Sequence, residues 1–365
     1  MIIGVVGLGT MGLGIAQVFA AAGYKVLATD AFESARANAH TRLRTALEPR
    51  VVKGVLTVEA MEALLTNFQI VETPEALAPA ALIIEAILET LPAKQSLFAR
   101  LEAVIAPDAV LATNTSSLSV TAIAVSLDHP ERVLGLHFFN PAPVMKLVEL
   151  IAHPGTSPAS LTLARQVSEA AGKTVIACPD RPGFIVNRCA RPFYGEALAL
   201  LEEGRTPSDI DASMLAAGYK IGPLSLIDLI GADINLAATT GLQVAMRHPR
   251  YHVFDALKTQ VAAGKLGRKS GQGFLFPDLP GTPPDDAADI ALRIEATLAN
   301  EAAWLLSEGG VTSEGIDQAL RLGLNFPRGP FEAARLQGPA RIRATLDQLE
   351  ASAPAHLKTR YLQAP

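Results

Sequence analysis

The chain has 365 residues, enough for two or three domains, and its 49% apolar and 18% charged residues exclude a disordered or low-complexity protein. A net charge of −5 gives no electrostatic reason to expect a nucleic-acid or anionic-membrane partner, and no stretch has the length and apolarity of a membrane span. The two cysteines, Cys178 and Cys189, lack CxxC spacing, which argues against a disulfide framework and suits a reducing cytoplasm.

Residues 1–24 carry no charged side chain. A secretory signal would need a basic start and an unbroken apolar core, whereas five glycines between Gly4 and Gly14 interrupt this run, so it reads as buried structure. The β-branched segment Ile2–Val6 predicts a strand buried on both faces. It leads into Gly7-Leu8-Gly9-Thr10-Met11-Gly12, a helical stretch at 14–22, a second strand at Lys25–Thr29, and Asp30 at its end. This order of strand, GxGxxG, helix, strand and acid is that of a dinucleotide-binding unit. Gly7 permits the tight turn, Gly9 lets backbone approach a pyrophosphate, and Gly12 lets helix and strand pack closely. The amides at Thr10 and Met11 open the helix that faces the phosphates. Asp30, 23 residues after Gly7, suits the ribose hydroxyls of NAD and repels the extra phosphate of NADP; the nearest following arginine is Arg36.

Further buried strands are predicted at 81–87, 110–114, 132–138 and 174–177, with helices at 93–105, 120–126 and 160–171 between most of them. The fold class is therefore an α/β Rossmann-type NAD-binding domain, residues 1–182, followed by an all-α region. The β pattern stops after Phe184, and a Pro/Gly/Asp-rich stretch at 277–289 reads as a linker between helical domains at 183–280 and 290–365. An internal repeat spans that linker. Glu196-Ala197, Leu200-Leu201, Gly204, Ile210-Asp211 and Gly222-Pro223 recur as Glu301-Ala302, Leu305-Leu306, Gly309, Ile316-Asp317 and Gly329-Pro330. The second unit reads as a shortened copy of the first that packs against it.

Dehydrogenation of an alcohol needs a base for the hydroxyl proton, a group that orients the base, and donors for the developing carbonyl oxygen. His137, in His137-Phe138-Phe139-Asn140-Pro141, stands at the carboxyl end of a strand, where open α/β sheets bind ligands. Twelve residues on, Glu149 lies within the apolar run Met145-Lys146-Leu147-Val148-Glu149 and could hold the imidazole in one tautomer. A core histidine and an unrelated acid would give the same spacing. Thr113-Asn114-Thr115-Ser116-Ser117 closes another strand and could either donate to a carbonyl oxygen or cap the next helix. Glu89 and Lys94 would, as a generic pair, form a solvated surface bridge. His248 and His252 are interrupted by Pro249, and no metal is expected there.

Taken together the motifs GLGTMGLGIA, NTSSLS, GLHFFNPAPVMKLVE, PGFIVNR and AAGKLGRKSGQGF, in this order, resemble the 3-hydroxyacyl-CoA dehydrogenase family over nearly the whole chain. The resemblance implies NAD as cofactor and an acyl-CoA substrate. It implies His137 as general base, Glu149 as its orienting partner, and Ser116 and Asn187 as oxygen-binding groups. Asn114, Glu89 and Lys94 fall on the cofactor side of the site, Asn140 on the substrate side, and Lys53 near the coenzyme A tail. The tandem helical region is similar to that of bacterial enzymes of phenylacetate and related acyl-CoA catabolism. At the position matching Asn187 the second copy has Leu292, so that copy is expected to be structural. A homodimer, or packing of the two helical copies within one chain, are both compatible with the repeat. Two competing readings are a phosphogluconate-like β-hydroxyacid dehydrogenase, which also begins GLGTMG but lacks its catalytic lysine motif here, and a non-catalytic, crystallin-like structural relative. Arg191, four residues after Asn187 on one predicted helix, should share its face and suits a substrate with a terminal carboxylate, such as 3-hydroxyadipyl-CoA.

Overall fold

The computed structural model describes residues 1–365 and divides them into two compact units, Met1–Arg181 and Pro182–Pro365. No helix is long and apolar enough to cross a membrane.

The first unit is built on eight strands: β1 Ile2–Val6, β2 Lys25–Thr29, β3 Phe68–Ile70, β4 Leu82–Glu85, β5 Val110–Thr113, β6 Val133–Phe138, β7 Leu147–Ala152 and β8 Thr174–Pro179. They form one sheet in the order β3-β2-β1-β4-β5-β6-β7-β8, parallel except where β6 meets β7. The inner strands are short runs of Val, Ile, Leu and Ala with both faces buried, because helices cover each side of a parallel sheet. Those helices are α1 Thr10–Ala21, α2 Glu33–Val52, α3 Val58–Asn67, α4 Leu91–Glu102, α5 Val120–Ala124 and α6 Pro158–Ala170. Gly7 takes a left-handed φ of 98°, and a Cβ at Gly12 would overlap the Gly7 carbonyl oxygen. Glycine at both positions lets α1 start directly above β1.

The second unit is all helix. Its first copy comprises α7 Val186–Cys189, α8 Arg191–Glu202, α9 Pro207–Ala216, α10 Pro223–Ile230, α11 Ala232–Met246 and α12 Asp255–Ala262. The second comprises α13 Ala287–Ser307, α14 Ser313–Leu324, α15 Pro330–Gln337 and α16 Pro339–Ser352. The repeated Ile-Asp and Gly-Pro pairs have a local cause. Asp211 accepts hydrogen bonds from the amides of Leu224 and Ser225 at the start of α10, and Asp317 does the same for Phe331 and Glu332 at the start of α15. Any side chain at Gly222 or Gly329 would collide with its aspartate.

The second copy packs on the first, α13 lying along α8 and α9. Leu305 and Ile316, apolar positions of the repeat, are buried, and Leu306 is half-buried. Ion pairs are exchanged between the copies. Arg188 of the first holds Glu308 of the second through both Nη atoms, at 2.7 and 2.6 Å, and Arg293 of the second holds Glu203 of the first in the same way, at 2.6 and 2.7 Å. The helical region is thus a pseudo-symmetric pair within one chain.

Candidate active site

At the carboxyl edge of the sheet, Gly9 and Thr10 are exposed at the start of α1, whose first-turn amides have no preceding carbonyls to bond. A Cβ placed on Gly9 would meet nothing within 4 Å, so the backbone leaves room for a phosphate at the positive end of the helix dipole. Half-buried Met11 continues that turn. Asp30, at the end of β2, accepts from the amide of Leu8 at 2.7 Å and of Phe32 at 2.9 Å, which fixes its carboxylate against the glycine turn. Sequence distance misleads about Arg36: α2 brings its Nη1 to within 2.6 Å of the Asp30 carbonyl oxygen. Arg42, not singled out from the sequence, donates to the Leu8 carbonyl at 2.7 Å. These residues fit a dinucleotide.

His137 and Glu149 are direct cross-strand partners in the antiparallel β6–β7 pair, which accounts for their spacing. His137 Nδ1 lies 2.6 Å from Glu149 Oε2, and both side chains are buried. A contact of this length orients the imidazole ring through Nδ1. The Phe139 ring lies against His137, the two ring centroids 4.5 Å apart.

Between β4 and β5 the structure corrects the view of Glu89 and Lys94 as a solvated bridge. Lys94 is 1% exposed, and its ammonium joins Glu85 Oε1 at 2.6 Å and Glu89 Oε2 at 3.1 Å. Fully buried Glu85, which no motif flagged, also accepts from Thr113 Oγ1 and the Ile87 amide. Glu89 Oε1 in turn accepts from Thr115 Oγ1 and from the amides of Ser116 and Ser117. Partial burial works to raise the Glu89 carboxyl, but the Lys94 charge and these hydrogen bonds outweigh it and hold it below the usual carboxylate range. The network shapes the loop that presents Ser116, while Lys94 itself is enclosed by protein. Capping of α5 falls to Ser119 rather than to the Thr113–Ser117 cluster. Asn114 Oδ1 accepts from the Phe138 amide and ties the ends of β5 and β6 together.

Asn140 is exposed on the loop 139–146 that joins the two strands of the His137–Glu149 pair. Lys173 fastens this loop from below, its buried ammonium donating to the carbonyls of Ala142 at 2.5 Å and Met145 at 2.8 Å. Lys53 is exposed at the C-terminus of α2. In the helical unit, Asn187 lies in α7 and Arg191 opens α8, so the single helix expected across them is broken at Ala190. Pro192 explains the break, since it has no amide to continue the ladder. Arg191 Nε instead bonds the Asn187 carbonyl at 2.9 Å.

A glycine-turned, NAD-type nucleotide cradle beside a buried histidine–carboxylate pair defines a dehydrogenase. Comparison with known proteins agrees. The model of the 3-hydroxyacyl-CoA dehydrogenase NAD binding domain matches residues 2–181, and that of the family's C-terminal domain matches twice, at 183–276 and 290–364. The chain belongs to the 3-hydroxyacyl-CoA dehydrogenase family, and its cofactor is NAD. It is 44% identical over 274 residues to a 3-hydroxyadipyl-CoA dehydrogenase of Escherichia coli (strain K12), a match spanning 74% of this chain and 58% of that protein. It is 39% identical over 272 residues to a probable 3-hydroxybutyryl-CoA dehydrogenase of Bacillus subtilis (strain 168), covering 74% of this chain and 95% of the relative. Among solved structures, a 3-hydroxybutyryl-CoA dehydrogenase from Escherichia coli K12 superposes with a TM-score of 0.92 at 33% identity, over 100% of this chain and 96% of that one.

Proposed function

We propose that this protein interconverts an (S)-3-hydroxyacyl-CoA and its 3-oxoacyl-CoA, with His137 as the general base. The observation that carries the roles is the buried 2.6 Å contact between His137 Nδ1 and Glu149 Oε2. Bound NAD supplies the hydride acceptor. His137 Nε2 takes the proton of the 3-hydroxyl, and Glu149 stabilises the imidazolium that results. Ser116, on the loop held by Glu89, donates to the substrate oxygen where negative charge develops. Glu149 keeps the ring oriented in both directions of the reaction, so reduction of an oxoacyl group uses the same pair with the proton returned from His137.

The test is reduction of acetoacetyl-CoA by NADH, followed at the NADH absorbance, with wild type and His137→Gln. Turnover by wild type and a loss of about three or more orders of magnitude in kcat, with NADH binding retained, is expected. Residual activity above about a tenth would remove His137 from the mechanism. No turnover of any 3-oxoacyl-CoA by wild type would favour a structural role instead.

A further inference from the structure

We infer that a small cavity inside the helical unit, lined by Arg191, Arg250 and Arg360, binds a single monatomic anion, chloride under physiological conditions, which supplies the counter-charge that Arg191 lacks.

The other buried arginines along this cluster come with acids. Arg188, Arg250, Arg293 and Arg360 share Glu196, Glu203, Glu301 and Glu308 among them. A guanidinium is costly to desolvate without an anion, and each of these four has one within the fold. Arg191 is the exception. It is 7% exposed, yet its hydrogen bonds go only to neutral oxygens, the Asn187 carbonyl at 2.9 Å and Thr239 Oγ1 at 3.1 Å, with the Tyr194 ring 4.8 Å away. Burial pulls its pKa below the ordinary arginine value, with only Tyr194 acting in the other direction. Arginine keeps its proton in proteins all the same, so the charge stays and its partner has to come from solution.

The cavity defines that partner by its lining and its size. Three guanidinium groups line it and no carboxylate does. Arg191 uses Nε and Nη1 as above, Arg250 gives Nε to Glu301 and Nη1 to His248, and Arg360 gives Nε to Glu196 and Nη1 to the Arg250 carbonyl. The Nη2 of each makes no hydrogen bond and is left for a guest. Gly195, one turn after Arg191 on α8, lets the second copy reach this space, because any side chain there would strike Arg360 Nη2. Much of the remaining wall is apolar, with Leu198, Phe254 and Leu257, and a low local dielectric strengthens the attraction between an enclosed ion and these cations. The space holds one water-sized guest, which excludes phosphate, sulfate and other polyatomic anions. Water itself would fit but brings no charge to offset Arg191.

Thermal unfolding tests the site, since an ion bound only by the folded chain raises stability with its concentration. At constant ionic strength, replacing sodium gluconate by sodium chloride should raise the Tm of wild type by about 3 °C or more. Arg191→Met should lose that response, whereas general salt effects would be common to both proteins. Crystals of wild type grown in bromide should show anomalous scattering beside Arg191. Equal wild-type Tm values in the two salts overturn the proposal, as does the same chloride response in Arg191→Met. A cavity that holds water and no bromide overturns it too. The salt comparison and the bromide signal need wild type alone, so a variant that fails to fold leaves the site testable.

Discussion

Glu196 and Glu301 occupy equivalent places in the two helical copies, and each buried carboxylate binds two arginine Nε donors and a tyrosine hydroxyl. Glu196 is held by Arg293, Arg360 and Tyr361, and Glu301 by Arg188, Arg250 and Tyr251. In both cases the two arginines and the tyrosine all come from the opposite copy. The repeat is therefore joined by two versions of one polar cluster, and a buried cluster of this kind specifies a single mutual orientation more than it adds stability.

Neutralising either glutamate should be costly to a similar degree. Glu196→Gln and Glu301→Gln each leave two arginines facing an amide, and each should destabilise the helical unit by about 3–5 kcal/mol. Urea unfolding followed by circular dichroism measures both. A gap of more than about 2 kcal/mol between them would show that the two clusters are not energetic equivalents.

Glu149→Gln keeps the shape of the dyad but removes the charge that stabilises an imidazolium. Its kcat should fall by roughly two orders of magnitude, less than for His137→Gln, with KM for NADH unchanged. Wild-type kcat in this variant would mean that the imidazole is oriented by something else.

The open space at Gly9 separates folding from cofactor binding. Gly9→Ala should leave the Tm of the free protein within about 1 °C of wild type, because the added methyl meets no protein atom, yet weaken NADH binding about tenfold or more. Gly12→Ala should lower the Tm itself, since its methyl would strike the Gly7 carbonyl. Calorimetry and NADH fluorescence titration report the two effects, and equal losses of Tm would refute the distinction.

Asp30 should set the preference for NAD, and the proximity of Arg36 makes that preference easy to relax. Asp30→Ser removes the charge facing a 2′-phosphate and leaves the Arg36 guanidinium close by. The ratio of kcat/KM for NAD over NADP should drop by about a hundredfold. A ratio that stays at its wild-type value would place Asp30 away from the ribose.

Lys173 provides a pH dependence of stability. Desolvation lowers its pKa from 10.5 to about 8 in the folded chain. Between these values the unfolded chain binds more protons than the folded one, so stability from this residue is lowest below pH 8 and rises as pH climbs toward 10.5. Relative to Lys173→Met, wild type should gain at most about 3 kcal/mol between about pH 7.5 and about pH 9.5, less where solvent reaches the amine. Urea midpoints that differ by the same amount at both values would show that the ammonium is not desolvated.

How far the sequence carried depended on the range of the interactions involved. Strands such as Ile2–Val6 and Lys25–Thr29 were legible to the residue because an apolar β-branched run next to a glycine turn has few other solutions. The three-residue edge strand Phe68–Ile70 was not, since too few residues alternate to reveal a period. The 12-residue spacing of His137 and Glu149 left two readings open until the antiparallel register set them side by side. Lys94 was misplaced on the surface because a lysine is solvated unless a distant acid buries it, and Glu85 carries no local sign of that task. Arg36 was only six residues from Asp30, but the geometry of α2 decided that it folds back.

The partners of Glu196 also set an order of events during synthesis. Arg293 lies 97 residues downstream of it, but Arg360 and Tyr361 lie 164 and 165 downstream, so its cluster is complete only once residue 361 has been made. Nothing comparable delays the first unit, whose sheet closes with β8 at residues 174–179. Translation therefore delivers a nucleotide cradle that can finish folding early. The helical region, whose contacts span most of its own length, completes its charge network only when residue 361 has left the ribosome.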